Sequence, residues 1–376
     1  MSWCIWITGP PGSGKSAIAR VVETELRAAG QPVKRLELDE IRETLTPSPR
    51  YTDEERDVVY RALGYMATLL VEAGTPVLID ATAHRRIWRD LVRTAIPRFA
   101  EVQLICPLEV CRERERARIS SHAPHNIYEK AGRPGATVPG VDVPYEPAVA
   151  PELVIDTSVQ TVTEAARSVL RLAGRLAAQT PEPAASAGTG LEPGWAIWIT
   201  GRPGSGKSVL AQRVAQALRQ RGTRLRLLEL APLERLLLAE ETSRAPEPEL
   251  LHRVLVYAAK ILAETGVSVI IDATAVRRAW RDAARTMIPS FAEVQLRCSP
   301  ELCLERERAV RWRLTFEGSG GPAAAARPDI AIDYEESARP DLAIQTDVHD
   351  VQTAAEHVLR LIGRLAPSRG TTHARV

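Results

Sequence analysis

Two kinds of apolar pattern alternate along the first half of the chain. Short apolar runs typical of buried strands occur at Ile5–Thr8, Val33–Leu38, Val77–Asp80, Val102–Cys106 and Leu153–Asp156. Helical spacing of apolar residues occurs at Ser16–Ala29, Asp53–Ala73, Pro107–Arg118 and Val162–Ala178. This alternation predicts an α/β fold of three layers, in which helices cover both faces of a parallel sheet.

The second half of the chain repeats the first. WCIWITGPPGSGKS begins at Trp3, and WAIWITGRPGSGKS begins at Trp195. VLIDATAHRRIWRD over 77–90 returns as VIIDATAVRRAWRD over 269–282. The copies align without a gap over residues 3–116, a period far too long for a solenoid repeat. Each copy is therefore interpreted as a complete domain.

Composition places the domain boundaries. The segment 177–194 is rich in Ala, Pro, Gly, Ser and Thr and lacks a periodic apolar pattern, which is typical of a flexible linker. We predict a first domain over 1–176, this linker, a second domain over 195–366, and a disordered tail over 367–376.

Charge and hydropathy narrow the class of protein. The formal net charge is only +2, so nucleic acid is not an expected partner. No apolar run approaches the roughly 20 residues that span a bilayer, so no membrane partner is expected. Cleavage of a signal peptide would destroy the glycine-rich segment near residue 9, which favours a cytoplasmic protein. The five scattered cysteines predict free thiols rather than a disulfide framework.

The strongest chemical signal is a phosphate-binding loop of the form G-x-x-x-x-G-K-[ST], placed between a predicted strand and a predicted helix. In the first copy it comprises Gly9, Pro10, Pro11, Gly12, Ser13, Gly14, Lys15 and Ser16. In the second copy its matching residues include Gly201, Gly204, Ser205, Gly206, Lys207 and Ser208. Backbone N–H groups of such a loop cradle phosphates, Lys15 reaches the β- and γ-phosphates, and Ser16 ligates Mg²⁺. ATP and Mg²⁺ are the predicted cofactors.

Acidic residues follow the predicted strands of the first copy. Glu37 and Asp39 alternate with leucines at the end of the second strand, so we predict that both carboxylates face the same way, toward the ligand. Asp39 is the candidate for holding Mg²⁺ or accepting the proton of a hydroxyl, and Asp80 is a second candidate for metal contact.

Basic residues and an irregular segment complete the predicted site. The arginines that follow these strands suit the capture of phosphate or sulfate, and they are Arg42, Arg56, Arg85, Arg86 and Arg89. The segment 119–150 is long and rich in Pro and Gly, which predicts a lid that excludes water.

These motifs resemble the adenylylsulfate (APS) kinases, P-loop enzymes that phosphorylate the ribose 3′-hydroxyl of APS to give PAPS. LELDEIR over 36–42 is similar to the family's L-D-G-D-N-x-R, and YTDEER over 51–56 is similar to F-S-x-x-D-R. PLEVC over 107–111, IYEKA over 127–131 and VPGVDVPYEPAVAPELVIDT over 138–157 also match family segments. The resemblance spans residues 3–175.

The resemblance implies roles for particular residues. Lys15 and Asp39 become the catalytic pair, with Asp39 also associated with Mg²⁺. The residues implied to bind the acceptor are Glu37, Arg42, Tyr51, Arg56, Thr82 and Lys130. Of these, Arg42 and Arg56 hold the phosphosulfate end, and Tyr51 stacks on the adenine. The activity implied is ATP + APS → ADP + PAPS, within sulfate assimilation.

Several positions depart from the family. Glu37 replaces an aspartate, Tyr51 a phenylalanine, Val59 an asparagine and Val138 the lid phenylalanine. In the second copy Ala231 stands at the position of Asp39, Glu234 at that of Arg42, Ser243 at that of Tyr51 and Pro248 at that of Arg56. The second copy is therefore predicted to be degenerate.

Three functions stay open at this point. The first is an APS kinase with its activity in the first domain. The second is a P-loop kinase of another hydroxyl, on a small molecule or a nucleic-acid end, because DATAHRRIWR is similar to loops of such relatives. The third is an ATP-binding regulatory or scaffold protein, favoured above all for the second copy. A small-molecule acceptor is the expected partner, with pairing of the two domains or homo-oligomerisation as further expectations.

Overall fold

The computed structural model describes residues 2–118, 122, 124, 126–179, 192–238, 247–316 and 333–365, with the side chains of 310–316 excluded. The chain divides into two compact units, the first formed mainly by residues 2–179 and the second mainly by residues 192–233 and 247–365. The predicted linker lies mostly outside the described residues, and the predicted tail lies wholly outside them. Among the described residues, none of the helices has the length and apolar character needed to cross a membrane.

The first unit is built on one parallel sheet. Its strands are β1 (Cys4–Thr8), β2 (Lys34–Glu37), β3 (Val77–Asp80), β4 (Phe99–Ile105) and β5 (Leu153–Asp156). They lie in the order β2-β3-β1-β4-β5, and every neighbouring pair is parallel. The strand β1 is therefore central, with β2 and β5 at the two edges. Its residues are fully buried because helices cover both faces of the sheet.

In the described part of the first unit, six helices accompany this sheet. They are α1 (Lys15–Ala28), α2 (Leu38–Leu45), α3 (Asp53–Glu72), α4 (Arg86–Ala95), α5 (Leu108–Arg116) and α6 (Val162–Ala178). One core cluster lies between the sheet and helices α1 and α6, where Ile18, Val22 and Val169 are buried. Thr161 begins α6 with a capping box, since its side chain accepts from Glu164 N and Glu164 bonds back to Thr161 N.

The predicted parallel α/β fold is confirmed, and the differences are local. Two helices, α2 and α4, were not predicted, and β4 begins at Phe99 instead of Val102. The second strand ends at Glu37, and the chain turns at once into α2. The prediction that Glu37 and Asp39 share one strand face is therefore wrong, because Asp39 lies in the first turn of a helix.

The second unit repeats the same architecture. Its strands are β6 (Ala196–Gly201), β7 (Leu225–Glu229), β8 (Ser268–Asp272), β9 (Phe291–Arg297) and β10 (Leu342–Gln345), in the order β7-β8-β6-β9-β10. Its helices are α7 (Lys207–Gln220), α8 (Leu230–Leu237), α9 (Pro248–Glu264), α10 (Arg278–Met287), α11 (Pro300–Phe316) and α12 (Val351–Leu365). The equivalence of the two sheets confirms the tandem arrangement.

Candidate active site

The phosphate-binding loop joins the central strand β1 to α1. Gly14 is the residue that caps α1 and has φ 95°, a conformation that a residue with a side chain adopts only with strain. Gly12 has φ 77°, and a side chain there would collide with the backbone carbonyl of Cys111 in α5. The loop is therefore shaped by its glycines and rests directly on helix α5.

Lys15 folds back over this loop. Its ammonium nitrogen donates to the carbonyl oxygens of Gly9 at 3.0 Å and Pro10 at 2.9 Å. Burial lowers the pKa of Lys15, while the nearby carboxylates of Asp80 and Asp39 act in the opposite direction. The ammonium group thus lies between the loop and two carboxylates, where it can contact a bound phosphate.

Asp80 ends β3 beside the first turn of α1. Burial raises its pKa to about 6, against the opposing effects of the Lys15 charge and a hydrogen bond from Ser16. Among the described residues its Oδ2 atom accepts no hydrogen bond, although the Arg35 guanidinium lies 3.6 Å away. An oxygen so placed beside the Ser16 hydroxyl fits a hydrated Mg²⁺ ion bound to nucleotide phosphates. The described residues contain no cluster of three acidic, His or Cys side chains that would hold a metal alone.

Asp39 and Glu37 have separate surroundings. Burial raises the pKa of Asp39, and the charges of Lys15 and Arg42 counteract that effect. Glu37 instead forms a close ion pair with Arg35, which also contacts Glu23 at 3.0 Å. Of the two carboxylates that the sequence singled out, Asp39 thus interacts electrostatically with the loop lysine, and Glu37 is held by an arginine of its own strand.

Two arginines lie beyond Asp39. Arg42 donates to Glu55 at 3.0 Å, and its guanidinium lies 5.1 Å from the ring centre of Tyr51. Arg56 donates to the carbonyl and hydroxyl oxygens of Thr137 at 2.7 and 2.8 Å. Its other terminal nitrogen, Nη1, is buried and makes no hydrogen bond with any described residue. A buried guanidinium nitrogen without a partner is a strong donor for an anionic ligand.

The other predicted arginines are placed differently. Arg89 is fully buried, pairs with Glu101 at 2.6 Å and donates to the carbonyl of Glu146 at 2.6 Å. Arg86 contacts Asp90 at the surface, and neither it nor Arg85 borders the site. Of the five arginines that the sequence singled out as a group, only Arg42 and Arg56 thus line the cavity, and α4 holds Arg86 and Arg89 elsewhere.

Sequence reasoning missed a contact at the opposite sheet edge. Arg114 of α5 donates to the carbonyl oxygen of Thr157 at 2.7 Å and to its hydroxyl at 3.2 Å. Tyr128 donates to the carbonyl oxygen of Pro11 in the phosphate-binding loop at 2.7 Å. The sequence showed only that Arg114 is one of several arginines on a predicted helix. It gave no indication that Thr157 would be the partner of this arginine.

One cavity of about 720 Å³ joins these groups. It extends along the carboxyl edge of the sheet, where open α/β sheets bind ligands. Its lining includes Lys15 and Ser16 at the centre, Thr157 and Gln160 beyond β5, and the predicted acceptor residues Glu37, Arg42, Tyr51, Arg56, Thr82 and Lys130. The cavity is thus large enough for a nucleotide and a second ligand on either side of the loop.

The second unit keeps one part of this site. Lys207 donates to the carbonyl of Arg202 at 3.0 Å, and Asp272 has a raised pKa because burial outweighs its hydrogen bond from Ser208. Arg306 contacts Thr346 as Arg114 contacts Thr157. The side chain that corresponds to Asp39 is replaced by that of Ala231.

A parallel sheet in this strand order, with a complete phosphate-binding loop and a carboxylate beside its lysine, defines a P-loop kinase. The sequence model of the adenylylsulphate kinase family matches residues 1–156 and again 193–345, well over half of the chain. The protein belongs to this family, as its motifs predicted, and it carries the family's domain twice. It is accordingly a phosphotransferase with a hydroxyl acceptor, which confirms that prediction.

Individual relatives correspond to a single domain. The adenylyl-sulfate kinase of Rippkaea orientalis is 36% identical over 167 residues, 44% of this chain and 87% of its own. The probable adenylyl-sulfate kinase of Archaeoglobus fulgidus is 36% identical over 160 residues, 42% of this chain and 97% of its own. The solved Mycobacterium tuberculosis APS kinase, in complex with AMPPNP and APS, is 30% identical and covers 46% of this chain and 96% of its own, with a TM-score of 0.41.

Proposed function

We propose that the first domain transfers the γ-phosphoryl group of ATP to the 3′-hydroxyl of APS, giving ADP and PAPS. The observation that carries the proposal is the meeting of Lys15 and Asp39 in one cavity with the guanidinium groups of Arg42 and Arg56. A phosphate-binding lysine, a buried carboxylate and two acceptor-side cations are what transfer between two anionic nucleotides requires.

The proposed chemistry follows from the positions of these groups. The hydroxyl oxygen of the acceptor forms a bond to the γ-phosphorus, and the bond from that phosphorus to the β,γ-bridging oxygen breaks. The hydroxyl proton passes to the Asp39 carboxylate, whose raised pKa makes it a better base than an exposed aspartate. Lys15 stabilises the charge that develops on the transferred group.

We further propose that Ser16 and Asp80 would hold the Mg²⁺ that accompanies ATP, Asp80 through water, and that Asp39 would be a further carboxylate associated with the ion. When bound, the ion neutralises charge on the β- and γ-phosphates. The Oδ2 atom of Asp80 accepts no hydrogen bond from a described residue, and the hydrogen bond of Asp80 with the Ser16 hydroxyl brings the two proposed groups together.

A kinase of another hydroxyl is the second candidate for the first domain. The Arg42 guanidinium already contacts the Glu55 carboxylate at 3.0 Å, which weakens its attraction for a sulfate. Val138 lines the cavity where the family places an aromatic lid residue. Both features affect the acceptor side and leave the ATP side unchanged.

For the second domain we propose binding of ATP without transfer. The loop, the Asp272–Ser208 contact and the Arg306–Thr346 contact support nucleotide binding. Ala231 offers no base, and Glu234 would repel an anionic acceptor. This domain would then serve a regulatory or structural role.

The proposal for the first domain is tested with the purified full chain, ATP, Mg²⁺ and a panel of hydroxyl acceptors. We expect PAPS to form from APS at a rate far above that of ATP hydrolysis without acceptor. Transfer to a sugar, nucleoside or polynucleotide end in preference to APS would assign the second candidate function instead.

A further inference from the structure

A further cationic side chain of the cavity, that of Arg118, lies just beyond the end of helix α5. Arg118 follows the helix by two residues, and its guanidinium contacts the carboxylate of Glu115 at 3.4 Å and the carbonyl oxygen of Pro124. The Glu115 side chain is only 1% exposed and also accepts from the backbone N–H of Ile127 at 3.2 Å. The side chain of Arg118 is therefore held in place from two sides.

The position of Arg118 is at the phosphate end of the cavity. Arg118 lines the same cavity as Lys15 and Asp39. Burial is the main cause that lowers the pKa of Lys15, and the Arg118 charge adds to it. The pKa of Asp39 is raised mainly by burial, and Arg118 is among the cations that oppose this rise. Arg114, four residues earlier, is instead committed to Thr157 at the sheet edge.

Arg118 also has an unused donor. Its Nε–H group is buried and has no hydrogen-bond partner among the described residues. A buried charged donor without a partner costs free energy, and an anionic ligand in the cavity would satisfy it. An arginine can contact two phosphate oxygens at once, which a lysine cannot do.

We propose that Arg118 is a further catalytic residue of the first domain, which donates to the phosphates of the bound nucleotide and stabilises charge on the β,γ-bridging oxygen as the γ-phosphoryl group leaves. The inference rests on the use of ATP by this domain and is independent of which hydroxyl is the acceptor. Cations that act in this way on a leaving phosphate raise the rate of transfer more than they raise the affinity for nucleotide.

The second domain offers a natural comparison. Glu307 and Arg306 repeat Glu115 and Arg114, but Val310 stands at the position of Arg118. The sequence thus differs at the positions of both Asp39 and Arg118, whereas Lys15 and Arg114 are matched by Lys207 and Arg306. This joint loss is the pattern expected if Arg118 serves transfer and not binding.

The test compares Arg118→Gln and Arg118→Lys in the full chain. The matched control is Arg116→Gln, an exposed arginine of the same helix end that does not line the cavity. All variants carry Lys207→Ala, so that nucleotide binding is measured at the first phosphate-binding loop alone. Calorimetry with Mg²⁺ then gives the affinity for ADP and for ADP with aluminium fluoride, which mimics the transferring phosphoryl group.

We expect Arg118→Gln to weaken binding of ADP with aluminium fluoride by about 10²-fold or more, the scale for removal of one preorganised donor to a developing charge. Affinity for ADP alone should change by less than about threefold, which also shows that the variant is folded. Arg118→Lys should recover part of the loss, and Arg116→Gln should show none. Equal affinities for the analogue in Arg118→Gln and its parent would overturn the proposal, as would an equal loss for both ligands.

Failure of this inference is distinguishable from failure of the proposed function. If the protein does not phosphorylate APS, the acceptor assignment fails, yet the binding of the analogue still decides the role of Arg118. If APS is phosphorylated and Arg118→Gln keeps its full turnover, the acceptor assignment stands and the catalytic role of Arg118 is lost.

Discussion

Arg306 of the second domain donates a hydrogen bond to the carbonyl oxygen of Thr346 at 2.9 Å. Arg114 and Thr157 make the same contact in the first domain at 2.7 Å. The pair lies at the end of edge strand β5 in the first domain and of edge strand β10 in the second. This edge is away from the acceptor residues. The two domains therefore resemble each other on the nucleotide side and differ on the acceptor side.

From this asymmetry we predict that the loop lysines are not equivalent. The Lys15→Ala variant should lose transfer almost completely, because Lys15 stabilises the transferring phosphoryl group. The Lys207→Ala variant should keep transfer and bind one ATP fewer per chain. Calorimetry and measurement of product formation on both variants check this. Loss of transfer in Lys207→Ala, with transfer kept in Lys15→Ala, would mean that the second domain performs the chemistry.

Asp39→Ala makes the first domain like the second at one position. We predict that kcat falls by roughly 10²-fold or more, the scale of a positioned acid–base group. The affinity for ATP should change much less, because the loop and Lys15 remain. The control is Glu40→Ala, the adjacent residue in α2, which does not line the cavity. A tenfold change in ATP affinity with kcat preserved would contradict the assigned role.

The pKa of Asp80 predicts the pH dependence of nucleotide use. Burial raises the pKa of its carboxyl group to about 6, so Asp80 is ionised above that pH and protonated below it. The value of kcat/KM for ATP should therefore be full near pH 8 and fall as the pH drops through about 6, since protonation removes the negative oxygen. In Asp80→Asn this limb of the profile should disappear, leaving a low rate throughout. A wild-type profile that is flat between about pH 5 and pH 8 would exclude this role.

A buried histidine predicts acid sensitivity of the second domain. His252 stacks on Trp280 with ring centroids 4.1 Å apart, and burial lowers its pKa from 6.5 to about 4. The unfolded histidine takes up a proton below pH 6.5, whereas the folded one does not. Its contribution to stability is therefore full above pH 6.5 and is lost as the pH falls toward 4, by roughly 3 kcal/mol.

The matched variant for this prediction is His252→Tyr, because Tyr60 occupies the same position in the first domain. Tyr60 stacks on Trp88 with centroids 4.2 Å apart, so the replacement suits the pocket. Thermal unfolding of the full chain is measured at about pH 7.5 and about pH 5. Between these two pH values, the unfolding temperature of the second domain should change less in the variant than in the parent protein. An unchanged shift would mean that other groups carry the acid sensitivity.

The parts of the site that are local in sequence were predictable, and those made by tertiary contacts were not. The phosphate-binding loop is one contiguous motif with a strand before it and a helix after it, so its position and conformation follow from its own residues. Asp39 lines the same cavity as the loop lysine, but the strand geometry from which it was singled out is wrong. Leu36 and Leu38 alternate as in a strand, and nothing in that short pattern showed that the chain turns into α2 after Glu37.

The contact between Arg114 and Thr157 shows the limit most clearly. The two residues are 43 positions apart and meet only because β4 and β5 are neighbours in the sheet. The same holds for Arg89, whose partners Glu101 and the Glu146 carbonyl lie on other elements. The sequence alone does not distinguish an arginine that binds a ligand from one that stabilises the core. The two kinds are distinguished only when the order of strands in the sheet is known.

Gly12 packs closely against the Cys111 carbonyl, so the loop and helix α5 are held in fixed positions relative to each other. Arg114 at one end of the cavity and Lys15 at its centre are therefore held at a fixed separation. A substitution at Gly12 that pushes the loop away from α5 would change this separation, and should therefore disturb the surroundings of both side chains at once.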